Sequence, residues 1–233
     1  MSEPFLGVDE PAGEVRAVAL VLHGGRATST APVRARQLAV VRMWPFTRSL
    51  HAAGRDAGLA VARLRYVARG WNGSAQAPVG DVRWGLARLG ERFPDAPVAL
   101  VGHSMGGRAA LYTAGHEAVR AVVGLAPWLE PGDPVAPVAG RDLLIVHGDR
   151  DRITSPKRSA AYASAAQRVA RSVSYISVRD EKHAMLHRAG LWHELTTGYV
   201  LATMCDRPPA ETVSEATAKL LAQALAGAGT LTV

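Results

Sequence analysis

A chain of 233 residues is long enough for one large α/β domain or two small ones, and 48% hydrophobic with 20% charged residues is the balance of a globular protein, not a disordered one. No segment approaches the ~20 apolar residues that span a bilayer, and Met1 to Gly7 lacks the basic start and apolar run of a signal peptide, so the cytoplasm is the expected location. The net charge of +7 comes from scattered arginines with no run of five and no aromatic-interleaved patch, which argues against nucleic acid as partner, and the lone Cys205 excludes an internal disulfide.

Short apolar runs alternate with longer amphipathic ones along the chain. This pattern predicts a mostly parallel central sheet with helices on both faces. The first expected strand covers 15–22, and an irregular stretch, 24–34, follows it. A helical pattern over 35–56 contains Pro45 and should be two helices or a kinked one. Next come a strand at 59–65, a second irregular stretch at 67–78, and a helix at 79–92. A strand at 97–102 then runs into a small-residue helix at 105–115. Strands at 121–125 and 142–147, a helix at 156–171 and a strand at 173–178 continue the alternation. Helices at 185–205 and 213–226 close the chain, the last opened by a capping-box pattern, Thr212-Val213-Ser214-Glu215, and stopped by Gly227. No fixed-period repeat and no long Pro/Gly/Ser linker interrupts the series. One domain over 1–233 is expected, with its core at about 15–205.

Chemistry concentrates where strands end. Gly102-His103-Ser104-Met105-Gly106 lies between a strand and a helix, the context in which a Gly-x-Ser-x-Gly turn lifts a serine hydroxyl above the sheet edge. Glycines flank it because the backbone there is crowded. The same glycines fit neither the dinucleotide-binding nor the phosphate-loop spacing, so no cofactor is expected. A serine hydroxyl needs a base, which is itself held by an acid. The strand at 142–147 runs into a loop carrying Asp149 and Asp151. The last parallel strand runs into Arg179-Asp180-Glu181-Lys182-His183, which makes His183 the base; His187 lies one helical turn further on. His23, His103 and His147 also sit near strand ends, but without metal-ligand spacing. The His183/His187 pair lacks the Glu of His-Glu-x-x-His, so no metal is expected either.

The ordered set His23-Gly24-Gly25, Gly102-His103-Ser104-Met105-Gly106-Gly107, His147-Gly148-Asp149-Arg150-Asp151 and Lys182-His183-Ala184-Met185-Leu186 resembles the α/β-hydrolase superfamily over about residues 15–205. The resemblance implies a Ser104, Asp151, His183 triad, with Asp149 as the substitute acid. It also implies an oxyanion hole of backbone N–H groups from Met105 and from Gly25 or Arg26. Many relatives insert a cap of helices before the acid-bearing strand. Here only residues 128–140 are available, too few for one, so the pocket should be open, with Arg26, Trp71, His103 and Trp128 as candidate walls. The expected activity is cleavage of a small or medium acyl ester or thioester through an acyl-enzyme. The alternatives are acyl transfer by the same triad and a non-catalytic binding protein of the same fold. The expected partner is a small acyl substrate; no pattern specifies a partner chain.

Overall fold

The computed structural model describes residues 3–233; Met1 and Ser2, part of the N-terminal reading, lie outside the described residues. Among these, eight strands form one sheet in the order β1-β3-β2-β4-β5-β6-β7-β8. The strands are β1 (Phe5–Asp9), β2 (Ala17–Leu22), β3 (Leu59–Arg65), β4 (Val98–His103), β5 (Val119–Leu125), β6 (Asp142–Gly148), β7 (Ser172–Val178) and β8 (Gly229–Thr232). Only β1 pairs antiparallel, with β3; every other pairing is parallel. β2 and β4 are buried along their whole length, which is why they read as continuous apolar runs rather than alternating ones.

Seven α-helices accompany the sheet: α1 (Leu38–Val41), α2 (Trp44–Gly54), α3 (Ala77–Arg92), α4 (Met105–Thr113), α5 (Pro156–Ala166), α6 (Ala189–Met204) and α7 (Glu215–Leu225). They divide the core into two layers. One packs Val82, Leu86, Leu111 and Tyr162 against Leu20, Leu100 and Leu143. The other packs Phe46, Leu50, Trp192 and Leu221 against Val61, Val101 and Val146. Alternate residues of one strand thus serve opposite faces. The break at Pro45 is real: α1 ends before Met43, and the proline occupies the first turn of α2, where its missing N–H costs nothing.

Besides β1 and β8, which the sequence reading did not contain, three of its expected elements differ. The capping box Thr212…Glu215 does not form. Ser214 is the N-cap, and its hydroxyl is drawn to the Glu194 carboxylate and to Thr217. The helix expected over 156–171 stops at Ala166 because the following residues turn to feed β7, where the Arg171 N–H reaches the Arg141 carbonyl. The helix expected from residue 185 starts at Ala189. Residues 182–188 are instead wrapped around the buried carboxylate of Glu181, which accepts from the N–H groups of Lys182, His187 and Arg188 and from Trp192 Nε1. Between β5 and β6 lies only an irregular stretch with one short 3-10 turn, Ala136–Val138; among the described residues there is no cap domain.

Candidate active site

Ser104 sits between β4 and α4 with φ 56° and ψ −118°, a conformation that costs a non-glycine residue ~1–3 kcal/mol and survives only where the surroundings enforce it. The enforcement is backbone contact. A Cβ on Gly106 would lie 2.5 Å from the Leu22 carbonyl oxygen and 2.6 Å from that of His23, and one on Gly102 would collide with the backbone of Gly106 and Gly107. Glycine is therefore required two residues before and two after the serine. The elbow is further tied by Ser104 N–H to the Leu125 carbonyl and by Trp128 N–H to the Ser104 carbonyl, both 3.0 Å.

Two other strand ends bring the remaining groups. His183 Nε2 lies 3.1 Å from Ser104 Oγ, and His183 Nδ1 lies 2.7 Å from Asp151 Oδ2. A carboxylate oxygen only accepts, so Nδ1 carries the proton and Nε2 faces the serine with its lone pair. Asp149, the substitute acid, is exposed and makes no contact with His183 among the described residues.

Asp151 is held from every side. Its Oδ1 accepts the N–H groups of Ile153 (2.7 Å) and Thr154 (3.0 Å), and Oδ2 accepts from the Thr154 hydroxyl (2.8 Å) and from His147 Nε2 (3.1 Å) as well as from His183. Burial alone would raise its pKa, but the hydrogen bonds from His147, His183 and Thr154 outweigh burial and hold the carboxyl well below the usual range. His147 is fully buried, and burial pushes its pKa down despite the neighbouring carboxylate. It is a neutral ring that donates to Asp151 through Nε2 and accepts the Ser159 hydroxyl at Nδ1, 2.8 Å away. The sequence reading weighed His147 only as a metal ligand. Its position four residues before the acid was the available signal.

His103, expected as a pocket wall, is buried under His183 instead. The two rings stack at 4.7 Å, and His103 Nε2 donates to the His183 carbonyl at 3.1 Å. Burial pushes the His103 pKa down to about 3, helped by the His183 charge. Trp71 is likewise a core residue rather than a wall. It meets Tyr112 and Trp128 edge-on, and the Arg108 guanidinium lies 4.4 Å from its ring centre and 4.7 Å from that of Trp128. Arg108 in turn pairs with Asp133 at 2.6 Å. Trp128 is half-buried and lines a shallow cleft of about 500 Å³ with Ile153, Thr154 and Arg158.

The candidate oxyanion donors also separate. Arg26 N–H is spent on the Arg69 carbonyl at 2.8 Å. The N–H groups of Gly25 and Met105 donate to no carbonyl among the described residues. Gly25 is pressed so closely onto Met105 and the Arg69 carbonyl that a Cβ there would sit 2.6 Å from Met105 Sδ, and Gly24 abuts Ser104 itself. The far end of the same loop is tied to the base: Arg42 donates to the carbonyl of Ala184, the residue after His183. Among the described residues, no group of three or more His, Cys, Asp or Glu could hold a metal ion, and no helix is long and apolar enough to cross a membrane.

The parallel sheet, the strained serine elbow and the absence of a cap define an α/β hydrolase fold of the lid-free kind. Known proteins agree with that class. The family model described as serine aminopeptidase, S33, matches residues 65–141, which include the elbow but less than half of the chain. A sequence search of curated proteins gives no significant match. Among solved structures, the chain is similar to an α/β serine hydrolase homologue from Coxiella burnetii at 17% identity and a TM-score of 0.62, covering 83% of this chain and 90% of that one. It is similar to a lid-free α/β serine hydrolase from Xanthomonas campestris at 21% identity and 0.55, covering 79% and 82%. An esterase domain of a Rhodothermus marinus protein matches at 16% identity and 0.61, over 87% of this chain and all of that domain.

Proposed function

We propose that this chain, acting as one domain, is a serine hydrolase that cleaves carboxylic esters or thioesters of small or medium acyl groups through an acyl-enzyme on Ser104. The observation that best supports the reading is the unbroken hydrogen-bond series from Ser104 Oγ through His183 to Asp151, built on an elbow whose strain has no other evident purpose.

In this mechanism the substrate carbonyl lies over Ser104 with its oxygen toward the N–H groups of Gly25 and Met105. As Ser104 Oγ attacks, its proton passes to His183 Nε2. The imidazolium is stabilised by Asp151, which stays ionised. The negative charge that develops on the carbonyl oxygen is met by two backbone donors already in place, the kind of contact whose loss typically costs about 10²–10³ in rate. Collapse of the tetrahedral species expels the alcohol or thiol with the His183 proton. Water then attacks the acyl-enzyme, gives its proton to the same nitrogen and releases the acid. Both half-reactions use one base and leave the enzyme unchanged.

A fluorophosphonate probe tests the reading directly. Covalent labelling at Ser104, abolished by Ser104→Ala, is the expected result, and folded protein that stays unlabelled overturns it in favour of a binding protein. A panel of acyl esters and thioesters of graded length, with aminoacyl arylamides because of the matched family's description, then assigns the bond cleaved. Product analysis in the presence of an added alcohol separates hydrolysis from acyl transfer.

A further inference from the structure

The arginines are concentrated in the first third of the chain, part of them on two loops that the fold ties together. Residues 15–80 hold ten arginines, no lysine and a single acidic residue, Asp56, a local excess larger than the +7 of the whole chain. Asp56 lies before β3, at the end of that strand away from the site, and is paired with Arg55. Arg63 is answered by Asp9, and Arg65 lies over the Phe5 ring. Arg26, Arg34 and Arg36, by contrast, are exposed, and their side chains have no carboxylate or other hydrogen-bond partner among the described residues.

All three stand on the loop from Gly24 to Arg42, which contains no acidic residue. Its ends touch the two sides of the site, Gly25 against Met105 and Arg42 on the carbonyl after His183. Its middle is laced to the loop that follows β3, which is also free of acidic residues up to Asp81. Arg26 N–H donates to Arg69, Trp71 N–H to Arg26, Val33 N–H to Val67, and Arg69 Nε to Pro32. The three arginines thus stand on a tied segment that carries no acidic residue. Exposed guanidinium groups without counter-ions are available to an incoming anion, and the planar fork of arginine matches carboxylate and phosphate oxygens.

Building on the hydrolase reading, we infer that Arg26, Arg34 and Arg36 form a recognition arc for a carboxylate or phosphate carried by the substrate, so that the preferred ester or thioester is anionic. The arc draws the substrate toward the mouth and holds its charged end while the carbonyl reaches Ser104. Steering of this kind raises association by ~10–10³-fold and fades with salt.

The test uses matched substrates. Mono-p-nitrophenyl adipate against p-nitrophenyl hexanoate places the charge on the acyl side; 4-acetoxybenzoate and 4-acetoxyphenyl phosphate against 4-acetoxybenzamide place a carboxylate or a phosphate on the leaving group. At about 10 mM salt, where the Debye length is ~30 Å, an anionic member of at least one set should show kcat/KM roughly tenfold or more above its neutral partner. The advantage should shrink several-fold by ~0.15 M salt, where that length is ~8 Å. The combined R26Q, R34Q and R36Q variant should lose it while fluorophosphonate still labels Ser104. Equal or better turnover of the neutral esters in every set, or an advantage that survives in the triple variant, overturns the arc. Calorimetry of the same esters on Ser104→Ala reads recognition without chemistry. Preferential anion binding by a protein that no probe labels would leave the arc standing and sink the hydrolase reading; labelling without anion preference would do the reverse.

Discussion

Replacing Asp151 by Asn tests the direction of the hydrogen-bond series, because the structure dictates how the new amide must lie. Two backbone N–H groups, those of Ile153 and Thr154, point at Oδ1 at 2.7 and 3.0 Å. Turning the amide NH₂ toward them would set donors against donors in a buried place, at about 1–3 kcal/mol for each unsatisfied group. The donors at Oδ2 can give way, the Thr154 hydroxyl to the Ala126 carbonyl and His147 by changing tautomer against Ser159, whereas the backbone N–H groups cannot, so the amide oxygen stays at the Oδ1 position and the NH₂ faces His183. A donor there obliges His183 Nδ1 to accept, so the ring proton moves to Nε2 and Ser104 loses its base. The wrong tautomer in a Ser-His-Asp site costs about 10⁴-fold in kcat, or roughly 5 kcal/mol of transition-state stabilisation. The assay is kcat on a p-nitrophenyl ester, with circular dichroism and thermal melting to confirm that the variant folds. Asp149→Asn should stay near the parent rate, since that residue is exposed and apart from His183. Retention of a tenth or more of the parent rate by folded Asp151→Asn, or a collapse in Asp149→Asn, would refute the assignment of the acid.

Stability should fall on mild acidification. Burial pushes the His23 pKa down to about 4 and that of His103 to about 3, so between roughly pH 4 and 6.5 both are neutral when folded and take up protons when unfolded. Stability then rises with pH through that window, by up to about 1.4 kcal/mol per pH unit for each ring. Urea midpoints at pH 5, 6 and 7 check it, and a flat series would contradict the burial argument. Asp151 acts lower: its depressed pKa adds stability above its ordinary value that is lost only as pH falls below about 3.9. Gly106→Ala should destabilise by about 1–3 kcal/mol or prevent folding, because its Cβ meets backbone oxygens that cannot withdraw. Gly80→Ala, in α3 with open space around it, should instead stabilise by about 0.5–1 kcal/mol; chemical denaturation of both decides. Arg108→Ala leaves the buried Asp133 carboxylate without a counter-charge, held only by the Tyr112 hydroxyl and the Glu130 N–H, and empties the space between Trp71 and Trp128, so a loss of about 3–5 kcal/mol and a changed near-ultraviolet dichroism are expected. A neutral result would mean that water readily enters there.

What the sequence allowed to be read follows from the range of the forces involved. β2 to β7 are local in origin, apolar runs long enough to announce themselves, and the serine turn carries its own glycines. β1 did not announce itself because it is an edge strand that opens on an exposed Phe5, includes Gly7 and is satisfied by one neighbour. β8 is four residues with two threonines, given meaning only by β7 beside it. The same divide runs through the site. Ser104 and His183 stood out as strand-end residues in a fixed order, whereas the acid was narrowed from Asp149 or Asp151 to Asp151 only by the family resemblance. The groups that hold them in register, His147 with Ser159, Glu181 under the His183 loop, and Arg42 on Ala184, act across 7 to 142 positions of sequence. No window along the chain contains Arg42 with Ala184, and the two nearer pairs have no periodic pattern to mark them. The arginines make the point in reverse: spacing read them as diluted surface charge, because spacing along a chain says nothing about two loops laced together across forty residues. Once Arg26 and Gly70 are bridged and Arg42 reaches the Ala184 carbonyl, residues far apart along the sequence stand on neighbouring, tied stretches of chain. A charge pattern acquires a functional reading only after the fold has decided which charges share a face.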